Sequence, residues 1–207
     1  MSQDPSDLAH ALVDAGRALA PLMPATSGNL SARLPGGRLL VTASGLDKGA
    51  LTTGDLLALD ADLTSPDGRR PSAETRLHAL IYETFPDVGA VLHVHSPRAT
   101  VLSRHAGDAV VLDGWEIQKA FAGQTTHDAR LVVPVVPNDQ DMGALAAAAA
   151  PRLRAPDLAP GLLIAGHGLY AWGATVAEAR RHIDAFEFLF ECLLLERALL
   201  PLPGAAP

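Results

Sequence analysis

His93 and His95 stand at the end of an apolar run, Val88 to Leu92, and their types and spacing suit metal chemistry. The run is β-branched and aliphatic, so it reads as a buried strand that ends where the histidines begin. In a strand, side chains at i and i+2 point to one face, with Cα atoms roughly 7 Å apart. Two imidazoles so placed can converge on one ion. A lone His-x-His is as readily two histidines on a solvated strand face, so a third ligand decides. His167 lies in Ala165-Gly166-His167-Gly168-Leu169, just after the apolar run Leu162 to Ile164. Its flanking glycines let the backbone turn sharply and leave the imidazole uncrowded. Three histidines with an open fourth position describe a catalytic rather than a structural zinc site.

Two carboxylates could work beside such a site. Glu74 opens a helix ahead of the histidine strand; on spacing alone it reads as a first-turn acid that favours the helix dipole. Glu116 follows Trp115 and precedes Lys119, and an i, i+3 surface pair with that lysine is an equal reading. Small polar loops recur at Thr26-Ser27-Gly28-Asn29, at Ser44-Gly45 and at Ser72. Backbone N–H groups, hydroxyls and a helix N-terminus can together hold a phosphate, although each loop alone has the composition of an ordinary turn. Lys48 could add a point charge, or simply be solvated. Gly-x-x-x-x-Gly-Lys, Gly-x-Gly-x-x-Gly, Gly-x-Ser-x-Gly and Cys-x-x-Cys motifs do not occur.

Periodicity and turn residues give the scaffold for these side chains. Ser6 to Leu22 has helical spacing with Ser6 as N-cap, ended by Pro21 and Pro24. Leu30 to Leu34, a turn at Pro35-Gly36-Gly37, and Arg38 to Ala43 form a hairpin; Leu56 to Leu59 is a short strand. Ser72 caps a helix with Leu77, Leu80, Ile81 and Phe85 on its apolar face. Ser96-Pro97 starts the next helix. Val110 to Leu112 and Leu131 to Val136 are strands, the second edge-like or irregular because of Pro134. Trp115 to Phe121 makes one or two helical turns, and Asn138 to Arg154 is an alanine-rich helix. Gly161 to Gly173 is strand, turn, strand. Thr175 to Glu178 is a capping box that begins a long helix to about Leu200. Its Phe186, Phe188, Leu189, Phe190 and Leu193 to Leu195 exceed what one face can bury, which predicts a subunit interface.

The chain has 207 residues, 48% of them hydrophobic, enough for one sizeable core and one domain over 1–207. A formal charge of −7 without a basic stripe excludes a nucleic-acid binder. Cys192 is the only cysteine, so no intrachain disulfide forms, and it is expected in the core. Ala185 to Leu200 carries Glu187, Glu191, Glu196 and Arg197 and is no membrane span. With an acidic N-terminus lacking an apolar leader, the expectation is a cytoplasmic protein that binds neither membrane nor nucleic acid.

Taken together, Ser27-Gly28-Asn29, Ser44-Gly45, Pro71-Ser72-Ala73-Glu74, His93-x-His95 and Gly166-His167-Gly168 resemble the class II, zinc-dependent aldolase family, in family order over about residues 24–198. Ser44 to Gly49, Trp115 to Lys119, Asn138 to Asp141 and His167 to Gly173 resemble most its dehydratase branch, which acts on 5-methylthioribulose 1-phosphate in methionine salvage. The resemblance implies a three-layer α/β/α sandwich with a mixed, largely antiparallel central sheet. It implies one Zn2+ per subunit on His93, His95 and His167, and a homotetramer with sites between subunits. It also implies a sugar-phosphate substrate held by Gly28, Asn29, Ser44, Gly45, Lys48 and Ser72. Acid/base work would fall first to Glu116, as in the dehydratases, and second to Glu74, as in the aldolases. Aldolase members use a tyrosine in proton transfer. This chain has only Tyr82 and Tyr170, neither where that role would place it, and its tail Pro201 to Pro207 has none. That departure favours dehydration over an aldolase or epimerase reaction. An adducin-like, non-catalytic interaction domain is the alternative of another class, and retention of all three histidines and both glutamates argues against it.

Overall fold

The computed structural model describes residues 4–199. Eight strands form one sheet: β1 (Asn29–Arg33), β2 (Leu39–Thr42), β3 (Leu56–Leu59), β4 (Ala90–Val94), β5 (Ala109–Leu112), β6 (Leu131–Val136), β7 (Gly161–Ile164) and β8 (Gly168–Gly173). Their order is β3-β2-β1-β4-β8-β7-β6-β5. Every neighbouring pair is antiparallel except β6–β7, so the expected mixed, largely antiparallel sheet is present. Strands β4 and β8 are buried on both faces, which is why they read as continuous apolar runs rather than alternating ones.

Helices cover both faces and complete the three layers. α1 (Pro5–Leu19), α3 (Pro97–His105) and α5 (Val176–Leu199) pack on one face. There Leu12, Leu102, Ile183 and Phe186 meet Leu92 and Val94 of β4. α2 (Thr75–Thr84) and α4 (Met142–Arg152) cover the other, where Leu77, Ile81 and Leu145 meet Val91, Leu162 and Trp172. Residues alternate along β4, so His93 faces the α2/α4 layer while its neighbours Leu92 and Val94 face the other. Among the described residues no helix is long and apolar enough to cross a membrane.

Three helix starts differ from the sequence reading, each for a capping reason. α1 begins at Pro5 because the Asp4 carboxylate accepts from the Ser6 N–H at 2.7 Å; Asp4, not Ser6, is the cap. α2 begins only at Thr75: Ser72 lies in a turn, and Glu74 occupies the cap position without making a side-chain cap bond. α4 begins at Met142, where Asp141 accepts from the N–H groups of Gly143 and Ala144, so Asn138 to Gln140 are loop. The histidine strand runs through Val94 and includes His93. Pro134 falls in a gap of the parallel pairing, between the Val132–Leu158 bridge and the β6–β7 ladder that starts at Val135, where its missing N–H is tolerated. Cys192 is only half-buried, because burial along α5 falls away from Glu191 onward.

Candidate functional site

His93 is placed by strand register. It lies between Asn29 of β1 and Tyr170 of β8, its cross-strand partners. The Tyr170 ring stacks on it at 3.9 Å between centroids and 14° between planes. His95 lies just past the strand end, its N–H donating to the Leu22 carbonyl at 2.9 Å. His167 sits at the tip of the β7–β8 turn. Gly166 there has φ +67°, and a side chain on Gly168 would collide with the Val94 carbonyl, so both glycines are needed to bring His167 against the β4 histidines. The three Nε2 atoms lie 2.8 Å (His93–His95), 3.3 Å (His93–His167) and 3.1 Å (His95–His167) apart. Glu74 joins them from the start of α2: Oε1 is 3.0 Å from His167 Nε2 and Oε2 3.3 Å from His93 Nε2.

The protonation pattern shows what these atoms fit. His93 Nδ1 donates to the Leu169 carbonyl at 3.0 Å, and His167 Nδ1 to the Asn138 side-chain oxygen at 3.3 Å. With Nδ1 so engaged, Nε2 of each ring is the nitrogen left to face the centre, where its lone pair can ligate a cation. Burial pushes His93 down to about 3, against the upward pull of Glu74. Burial, with His167 nearby, pushes His95 down to about 4. Glu74 is also buried, which opposes its ionisation, but His93, His167 and the Asn29 amide outweigh burial and hold its carboxyl below the usual range. Asn29 Nδ2 donates to it at 2.5 Å. Converging lone pairs beside a carboxylate suit a divalent metal ion.

The polar loops line the same cavity, of about 310 Å³. Ser44 and Ser72 are brought side by side by main-chain bonds: Ser44 N–H donates to the Arg70 carbonyl and Ser72 N–H to the Thr42 carbonyl. Gly28 has φ +73°, and a Cβ there would lie 2.7 Å from the His93 carbonyl, so the loop's close approach to the histidine strand requires glycine. Ser27 Oγ and Asn29 Oδ1 are buried at this wall without partners among the described residues. The hydroxyl can donate to an anion and the amide oxygen can accept from a sugar hydroxyl. Lys48, read from the sequence as a solvated or phosphate-seeking cation, is almost completely buried. Its ammonium donates to the carbonyls of Thr26 and Leu46 at 2.8 and 2.5 Å, tying two loops together. Burial lowers its pKa, with Asp47 and Glu74 pulling it back up.

Glu116 is not brought to this cavity. It lies on a short 3-10 turn, Glu116–Ala120, with its side chain 72% exposed, paired with Lys119 and 3.9 Å from His127. Sequence reasoning missed Tyr170 as the platform behind His93, and missed the loop Asn138 to Gln140 with Met142 as the far lip of the cavity. The signal for the loop was present: Asp139 and Asp141 are both cap-type residues inside the stretch read as helix, and Asp141 is the one whose carboxylate reaches two helix N–H groups.

Comparisons with known proteins converge on one family. The model described as "Class II Aldolase and Adducin N-terminal domain" matches residues 10–194. A methylthioribulose-1-phosphate dehydratase of Serratia proteamaculans is 54% identical over 178 residues, covering 85% of this chain and 87% of that one. The enzyme of the same name from Pseudomonas paraeruginosa is 51% identical over 198 residues, covering 94% and 97%. The crystal structure of an L-fuculose-1-phosphate aldolase from Thermus thermophilus superposes with TM-score 0.76 at 29% identity, covering 98% of each chain. The fold, the metal-type cluster and these matches agree: the chain belongs to the class II aldolase and adducin N-terminal domain family.

Proposed function

We propose that this chain is a lyase that removes water from 5-methylthioribulose 1-phosphate to give 5-methylthio-2,3-dioxopentyl phosphate, a step of methionine salvage in the cytoplasm. The observation that carries the reading is the convergence of three imidazole Nε2 atoms beside a carboxylate, at the floor of a cavity walled by loop hydroxyls and amides. Relatives more than half identical and named for this dehydration supply the substrate. His93, His95 and His167 would hold one Zn2+ per subunit. A cation there polarises a ketose carbonyl and so acidifies the adjoining C–H.

The chain's own residues do the remaining work. Ser27, Gly28, Ser44, Gly45 and Ser72 would grip the phosphate, with Lys48 bracing their loops from beneath. Asn29, whose amide oxygen has no partner among the described residues, would accept from a sugar hydroxyl while its NH2 orients Glu74. A carboxylate then takes the C3 proton, and the C4 hydroxyl leaves as water with a proton supplied to it. The resulting enol tautomerises to the diketone. We assign this acid/base work first to Glu116 and second to Glu74. Glu116 stands on the outer surface, so it would serve the cavity of a neighbouring subunit in a homotetramer, beside the exposed Ile117.

Cleavage of C3–C4 in the same cavity is the second reading, favoured by the likeness to the Thermus thermophilus aldolase. Both tyrosines of the chain are buried and neither lines the cavity, so the groups at hand support C3 deprotonation. Substrate carrying deuterium at C3 should react more slowly and lose its label to water. Turnover that keeps the label on carbon would rule the dehydration out.

A further inference from the structure

The three histidines are not held alike. His93 is locked by a main-chain carbonyl, by Tyr170 stacked on its face and by complete burial. His167 has none of these. Its turn is anchored only through the backbone: Thr100 Oγ1 donates to the His167 carbonyl and Gly166 N–H donates to Ser103 Oγ, both at 3.0 Å. The ring hangs at the tip of the turn: Nε2 faces the cluster and lies 3.0 Å from Glu74 Oε1, and on the outer side Nδ1 meets the Asn138 side-chain oxygen at 3.3 Å.

Asn138 is placed for that contact by the sheet. The Ala165 N–H donates to the Val136 carbonyl at 2.9 Å, which joins the end of β6 to the β7–β8 turn. Pro137 fixes its own φ in the link from β6 to Asn138. Two Asp side chains stiffen the residues between Asn138 and α4: Asp139 accepts from the Asp141 N–H, and Asp141 caps α4. Asn138 is therefore presented by a braced loop and not by a free one.

We propose that Asn138 is a positioning residue for His167: by accepting from Nδ1 it keeps the proton on that nitrogen and turns the Nε2 lone pair toward the cation. Without it the proton would go to Nε2, toward Glu74 Oε1 at 3.0 Å, and that nitrogen could not ligate. The proposal rests on the metal reading of the site, and its test separates the two. The probe is zinc alone, titrated against a competing chelator, with the fold checked by thermal unfolding of the metal-free protein. Asn138→Ala should bind zinc about 10- to 100-fold more weakly, the range for loss of a ligand's outer hydrogen bond. Asn138→Asp keeps the acceptor and should bind at least as tightly as wild type. Unchanged zinc affinity in Asn138→Ala, or equal weakening in Asn138→Asp, would overturn the proposal. Wild-type protein that binds no zinc would instead overturn the metal reading itself.

Discussion

Single residues carry most of what is distinctive here, and their environment sets what each can do. His93→Ala should lose the cation and with it turnover, while the chain still folds; metal analysis of the purified variant checks this. Asn29→Ala, Ser44→Ala and Ser72→Ala should chiefly raise KM or lower kcat/KM, and equal binding of phosphorylated and dephosphorylated ligands would remove the case for these loops. Behind the site, His78 is fully buried and bonded to Ser31 Oγ at 2.7 Å. Burial, partly offset by Glu74, holds it down at about 4. An unfolded histidine titrates near 6.5, so the folded chain binds fewer protons than the unfolded one between those values. Stability should therefore fall as pH drops from about 6.5 toward 4, by at most about 1.4 kcal/mol per pH unit from this group. In His78→Gln, denaturant midpoints tracked against pH should slope less; an unchanged slope would contradict this. The three histidines were legible because the His-x-His spacing marks His93 and His95 and flanking glycines mark His167; Glu74 came only through the family resemblance, since spacing alone reads it as a first-turn acid. Tyr170 and His78 were not legible, since their roles come from cross-strand register and layer packing, which no local pattern encodes.

At the scale of elements, the strands were legible where burial is uniform. β3, β7 and β8 stand where apolar runs and glycine turns put them. Helix starts were less so, because competing caps lie within three residues of one another and only the packed structure chooses. That choice matters for function: starting α2 at Thr75 rather than after Ser72 frees the Glu74 carboxylate from capping and turns it to the histidines. Gly28 shows how tightly an element holds the site. Gly28→Ala meets both a positive φ and contact with Met23 and the His93 carbonyl, so it should cost about 1–3 kcal/mol and weaken substrate binding. A variant with wild-type Tm and KM would show that the loop has more room than this geometry allows.

The whole molecule leaves apolar surface uncovered. Phe188 is 55% and Leu195 60% exposed on α5, with Ile117 and Val101 also in solvent. A homotetramer would bury such positions, and sedimentation at micromolar concentration should find one; a monomer would contradict it. The surplus apolar residues on α5 were legible in the sequence, and so was the surface pair of Glu116 with Lys119; which cavity a surface carboxylate serves has no signature within its own chain. If Glu116 serves the cavity of a neighbouring subunit, mixing His93→Ala and Glu116→Gln subunits should restore activity that neither variant has alone. The central claim is the reaction itself, and mass spectrometry of the product tests it most directly. Incubated with 5-methylthioribulose 1-phosphate and zinc, the protein should yield one phosphorylated product, with its carbon chain whole and lighter than the substrate by one water. Two carbon fragments, an aldehyde and a three-carbon keto phosphate, with no dehydrated product, would contradict the account.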